Sequence, residues 1–222
     1  MKLLVTGMKR CGSTMLYNLL RLLFITENKS VKGFFFDDKN FIETGNPSDI
    51  SIMKRHEVFD QSVFDWSDKI FAPIRDMRDI VASDLRNGLP RNLKEIEWYC
   101  QFNMRTFNSW KDHADLICIY EDYASNPASY IRSVADTVGI KLTIAEAQEV
   151  HKNLVEYCTD EISKSTVWAP DREPRESLLY SNQITAGGVV GSYTSYLKEE
   201  EIKLIENVCK DFLLENNYKL SM

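Results

Sequence analysis

Lys2-Leu3-Leu4-Val5-Thr6-Gly7-Met8-Lys9-Arg10-Cys11-Gly12-Ser13-Thr14-Met15-Leu16-Tyr17 opens the chain and decides its fold. The apolar run over 2–6 is short enough for a buried strand, and 15–23 predicts a helix. Residues 7–14 join the two, with glycines at 7 and 12. A strand, a glycine-flanked loop and a helix N-terminus together form an anion cradle. Backbone amides and the positive end of the helix dipole converge on one spot.

Outward from this unit, strand and helix signals alternate. Strands are expected over 31–36, 49–55, 69–75 and 115–120, with Pro73 marking the end of one. Helices are expected over 76–86, 93–111, 127–138, 143–157 and 198–216. Asn126-Pro127 suits a helix start and Gly139 a helix end. The near-continuous apolar run at 115–120 predicts a strand covered on both faces. Residues 159–191, rich in Ser, Pro, Gly and charge, predict a long loop or lid. This alternation predicts a three-layer α/β/α fold with a central parallel sheet, resembling the P-loop nucleotide-binding folds. The chain has 222 residues, 44% of them hydrophobic, which suits one domain over 1–222. Ligands of such sheets sit beyond the carboxyl ends of the strands.

The net charge of −6 argues against nucleic-acid partners and anionic membrane surfaces, so an anionic ligand must be held by local cations. Five scattered cysteines include no C-x-x-C pair, which argues against zinc and a disulfide framework. Reduced thiols imply a cytoplasmic protein. Cys11, between Arg10 and Gly12, is either a small residue that fits the loop or a thiol activated by Lys9 and Arg10. No signal peptide or membrane span is read.

Three segments carry the candidate chemistry. In the loop, the spacing G-x-x-x-x-G-K-[ST] is kept but Ser13 stands in the lysine position, and the cations move back to Lys9 and Arg10. Such a loop suits a phosphate ester other than ATP. Next, Arg75 ends a strand and Ser83 follows eight residues on, a fork and a hydroxyl for a second phosphate. The alternative pairs Arg75 and Arg78 with Asp76 and Asp79 in surface salt bridges. Finally, Lys54-Arg55-His56 ends another strand, and two neighbouring cations favour a neutral imidazole able to act as a base. The alternative is a surface histidine.

Together these segments resemble the sulfotransferases that use 3′-phosphoadenosine 5′-phosphosulfate (PAPS). Arg10-Cys11-Gly12-Ser13-Thr14 matches the family's R/K-S-G-[ST]-T loop, and Arg75, Asp79 and Ser83 match R-x-x-x-D-x-x-x-S. Lys54 and His56 match K-x-H. Tyr120-Glu121-Asp122, then Asn126-Pro127 and Gly139, resemble Y-E-D…D-P…G, and Gly188-Val189-Val190-Gly191 is a late G-x-x-G. The resemblance implies in-line sulfuryl transfer to a hydroxyl or amine of a small-molecule, lipid or carbohydrate acceptor. It leaves 3′-phosphoadenosine 5′-phosphate (PAP) and requires no metal. It makes His56 the base, Lys54 and Arg10 the cations at the transferring group, and Arg75 with Ser83 the 3′-phosphate clamp. Cys11, Gly12, Ser13 and Thr14 would hold the 5′-phosphosulfate. Tyr120, Thr166 and Trp168 would face adenine, with Gly188 and Gly191 completing the nucleotide site.

The chain departs from the pattern at Cys11, which stands for serine, and at Ala186-Gly187-Gly188, which stands for R-K-G. Acidic bases at Asp37, Glu43 or Glu57 compete with His56. Phe34, Phe35, Phe36, Trp98, Tyr99 and Trp168 line an acceptor pocket or belong to the core. A P-loop nucleotide kinase or NTPase, and a nucleotide-binding module without turnover, are the competing functions.

Overall fold

In a computed structural model, residues 1–35, 49–165, 176–180 and 188–221 are described. Five strands, β1 (Lys2–Thr6), β2 (Val31–Phe35), β3 (Ile50–Arg55), β4 (Lys69–Ile74) and β5 (Leu116–Ile119), form one sheet in the order β2-β3-β1-β4-β5. Every pairing is parallel. Leu3 and Val5 face one side, against Leu16, Leu20, Ile131 and Val134, while Leu4 faces the other with Met53 and Trp110. Both faces of β1 are therefore covered, and its apolar run needs no alternation.

Nine α-helices are described: α1 (Ser13–Thr26), α2 (Gln61–Trp66), α3 (Met77–Leu85), α4 (Leu93–Trp110), α5 (Tyr120–Ser125), α6 (Pro127–Thr137), α7 (Ile144–Ser163), α8 (Glu199–Val208) and α9 (Lys210–Glu215). Helices α1, α6 and α7 cover one face; α3, α4, α8 and α9 share the core on the other. The starts of α6 and α7 show clear caps, the first of them the expected one. Asn126 accepts from Ser129 N–H ahead of Pro127, and Thr143 with Glu146 closes a capping box on α7.

Several expectations are corrected. Helix α7 runs to Ser163, into the stretch read as a loop from 159. Residues 166–175 and 181–187 of that stretch, including Thr166, Trp168, Ala186 and Gly187, lie outside the described residues, as do 36–48, with Phe36, Asp37 and Glu43. Strand β5 is an edge strand: Ile117 and Ile119 are 43% and 37% exposed, so its apolar run is not covered on both sides. The chain turns helical at Tyr120, where the strand was expected to extend. Helix α2 went unread although Asp60 caps it by accepting from Ser62 N–H. The final helix breaks at Cys209, and nothing in its residues signals the break.

Register places the site. Val5 pairs with Lys54 and Thr6 with Arg55, so the segments after β1 and β3 leave the sheet side by side. Strand β4 lies on the other side of β1, bringing Arg75 to the same edge. The strand order reverses about β1, which opens a crevice there.

Candidate active site

The loop after β1 is shaped by its backbone. Gly7 has φ 134° and Gly12, the N-cap of α1, has φ 88°. A Cβ on Gly12 would sit 2.6 Å from the Tyr120 ring, so glycine is required there by conformation and by space. Arg10 also adopts a left-handed φ of 61°. The loop is fastened from α4, where Asn103 Oδ1 accepts from the Lys9 amide at 2.7 Å.

His56 packs into this loop, 8% exposed. Its Nδ1 lies 2.9 Å from the Gly7 carbonyl oxygen. A carbonyl only accepts, so Nδ1 carries the proton and, in the neutral ring, Nε2 keeps a lone pair. Burial, and then the Lys54 charge, push the imidazole pKa down to about 3. The ring is neutral across the physiological range. This is the state a general base needs, and the surface alternative is excluded by burial.

Lys54, two residues earlier, is 5% exposed and donates from Nζ to Thr14 Oγ1 at 2.6 Å. Burial lowers its pKa to about 8. Phe35 closes over both groups: Lys54 Nζ lies 5.6 Å from its ring centroid, and its ring stands 6.0 Å from that of His56. Glu57, the rival base nearest in sequence, accepts from the Arg55 guanidinium at 3.2 Å and from the His56 amide at 3.1 Å. Its carboxylate is engaged by the Arg55 guanidinium and the His56 amide.

Arg10 reaches across to α3. Its Nε donates to Ser83 Oγ at 3.1 Å and pairs with Asp84 at 3.2 Å. Tyr99 donates its hydroxyl to the other oxygen of Asp84. The loop thus touches the expected 3′-phosphate segment through Arg10 and Ser83. Cys11, in contrast, is fully buried, donates to the Met8 carbonyl, and has its thiol pushed up to about 12 by burial. It is no activated nucleophile; it is the small residue that fits the loop.

Arg75 is 3% exposed. Its guanidinium stacks 4.3 Å above the Tyr120 ring, donates to Val189 O at 3.3 Å and pairs with Asp79 at 3.7 Å. Its Nε is buried without a hydrogen-bond partner among the described residues. Asp79, fully buried, accepts from Gly191 N–H at 2.7 Å, Tyr193 N–H at 2.9 Å and the Ser192 hydroxyl at 3.2 Å. It pins the G-x-x-G segment onto α3. Tyr120 donates to Gly188 O at 2.8 Å and packs against Gly12. The surface-pair alternative is half right: Arg78 does pair with Asp76, at 2.6 Å, but in the interior, where it also holds Glu206 at 2.5 Å. Arg78 is a tie between α3 and α8.

Of the sequence-predicted residues, Arg10, Cys11, Gly12, Ser13, Thr14, Lys54, His56, Arg75, Ser83, Tyr120, Gly188 and Gly191 are described and gather at this edge; Thr166 and Trp168 lie outside the described residues. Asn103, Asp84 and Tyr99 were missed as partners of the loop. A buried Asn and an Asp following Ser83 are weak signals for such roles. Of the aromatics, Tyr99 is 8% exposed and Phe34 packs on Trp66, both core, while Trp98 is 61% exposed.

Comparison with known proteins gives a family match. The sulfotransferase-domain family model covers residues 1–221. No curated protein matches the chain. Solved structures share the fold. A retinol dehydratase complexed with androsterone and inactive cofactor PAP is 17% identical, with TM-score 0.67, covering 100% of this chain and 82% of that one. The retinol dehydratase complex with retinol and PAP gives 18%, 0.68, 100% and 83%. Mouse sulfotransferase SULT7A1 complexed with PAP gives 12%, 0.66, 97% and 85%.

Proposed function

The chain belongs to the sulfotransferase family, and from that premise we propose that it moves a sulfuryl group from PAPS to an acceptor hydroxyl or amine, acting as a single domain. The observation that carries the reading is His56: buried, neutral, its Nδ1 proton on Gly7 O, beside Lys54 and the loop. The residues suit the donor. Arg75 Nε is an orphaned buried guanidinium nitrogen, and Gly12 sits in a cradle that a Cβ would fill.

When bound, PAPS supplies the sulfuryl group and the leaving phosphate. His56 Nε2 takes the acceptor proton as the acceptor oxygen bonds to sulfur. Lys54 and Arg10 hold the negative charge left on the phosphate oxygen as its bond to sulfur breaks. Thr14, Ser13 and the α1 amides position the 5′ group, which turns two encounters into one oriented step. A sulfuryl group carries less charge than a terminal phosphate, so these two cations serve where a nucleotide kinase uses a metal. Arg75 and Ser83 receive the 3′-phosphate.

The acceptor we assign is a small hydroxylated molecule, lipid or carbohydrate. The related complexes with retinol and with androsterone supply the first candidates to try. The free, mostly buried cysteines suit the cytoplasmic placement we assign. Among the described residues, no helix is long and apolar enough to cross a membrane. The test is transfer of label from ³⁵S-PAPS to an acceptor panel by wild type and His56→Ala. We expect a labelled product and a loss of roughly 100-fold in turnover in the variant, with PAP affinity kept. No labelled product from any acceptor, with PAP bound normally, would favour a binding module. Full turnover by His56→Ala would remove the base assignment.

A further inference from the structure

One face of α3 carries Asp79 and Ser83 and ends at the C-cap Arg86, spaced by four and three residues, while Arg75 stands just ahead of the helix, four residues before Asp79. The segment 188–196 runs along this face. Arg75 meets it at Val189, Asp79 holds it at Gly191 and Tyr193, and Arg86 stacks 4.4 Å above the Tyr196 ring. Asp79 is fully engaged by this segment, and Ser83 faces Arg10. The two arginines at the ends are not satisfied. Arg75 Nε, and both Nε and Nη1 of Arg86, are buried without a hydrogen-bond partner among the described residues. Each guanidinium is supported from behind by a tyrosine ring, which holds it in plane and leaves its N–H edges open.

A buried guanidinium with unmade hydrogen bonds is costly and implies an anion that completes it. Two of them bracketing a serine imply an anion with several acceptor oxygens. The late segment itself supplies no cation, since no lysine or arginine occurs between Arg175 and Lys198, and Arg10, which reaches Ser83 from the loop, already pairs with Asp84. We propose that Arg86 is a second guanidinium of the 3′-phosphate site, facing Arg75 across Ser83, and that it sets the enzyme's preference for a 3′-phosphorylated nucleotide. This rests on the nucleotide reading above and extends it to a residue outside the R-x-x-x-D-x-x-x-S pattern. Arg86 also fits the charge arithmetic: one guanidinium balances half of a phosphate dianion, and Arg75 already shares its charge with Asp79.

The experiment compares PAP with adenosine 5′-phosphate, which differs only in the 3′-phosphate, on wild type, Arg86→Gln and Arg86→Lys by calorimetry. Gln keeps part of the aliphatic stem and a polar end while removing the charge. For Arg86→Gln we expect PAP binding weakened at least tenfold, with adenosine 5′-phosphate changed less than about twofold and Arg86→Lys intermediate. Unchanged PAP affinity in Arg86→Gln would overturn the assignment. Equal losses for both nucleotides would also overturn it, by showing that Arg86 acts through folding alone. Wild type binding the two nucleotides equally would instead overturn the PAPS reading itself. Should Arg86→Gln fail to fold, Arg86→Lys decides: a selective loss of PAP affinity supports the site, and parity with wild type in both nucleotides refutes the fork geometry it needs.

Discussion

Lowering the pH should destabilise this protein through His56 in a way that needs no acceptor to measure. The folded imidazole has a pKa of about 3, against an ordinary value of 6.5. A depressed folded pKa gives stability that is present above 6.5 and lost as pH falls toward 3, because only the unfolded chain takes up the proton in that window. At about pH 4.5 the unfolded imidazole is two units below its own pKa, so at 1.36 kcal/mol per unit the loss is about 3 kcal/mol. His56→Asn is the comparison: its amide N–H can replace Nδ1–H toward Gly7 O, and it does not titrate. Carboxylates weaken both proteins alike, so their share cancels in the difference. Urea unfolding of both at pH 8 and at about pH 4.5 should show the wild-type advantage shrinking by about 3 kcal/mol. A difference that stays constant with pH would mean that His56 titrates normally, and the buried neutral base would be refuted.

Arg75→Ala should weaken PAP by about 2 kcal/mol while adenosine 5′-phosphate is nearly unaffected, as titration calorimetry would show; equal losses would make Arg75 structural. For Lys54 the sign is opposite to that of His56: its charged form serves the transition state and its pKa is lowered to about 8, so kcat/KM should fall as pH rises through that value. A Lys54→Arg variant, which keeps its charge, should lack that alkaline limb.

What was legible in the sequence lay along the chain, and what was not lay across it. The unit over Lys2 to Tyr17 could be read because strand, glycines and helix follow one another, and parallel register then puts Thr6 beside Arg55 and delivers three segments to one edge. Pairings between distant residues left no local trace. Asp79 looks like any helix-surface carboxylate until Gly191 and Tyr193 are seen on it. Arg78 reads as one partner of a surface salt bridge until Glu206, far along the chain, is seen to hold it in the interior. The exposure of Ile117 and Ile119 depends on β5 being the last strand of the sheet, a property of topology that an apolar tetrapeptide does not encode. Likewise the inertness of Cys11 follows from burial, whereas its sequence neighbours are cations.

The central claim is that this edge holds a nucleotide bearing phosphates at both the 5′ and 3′ positions, without the lysine that serves an ATP γ-phosphate. Titration calorimetry of the wild-type protein with PAP and with ATP, each with and without magnesium, tests it most directly. We expect PAP binding at low micromolar or tighter, about −8 kcal/mol, unchanged by magnesium, with ATP at least tenfold weaker. ATP bound more tightly than PAP, or PAP binding that requires magnesium, would contradict it.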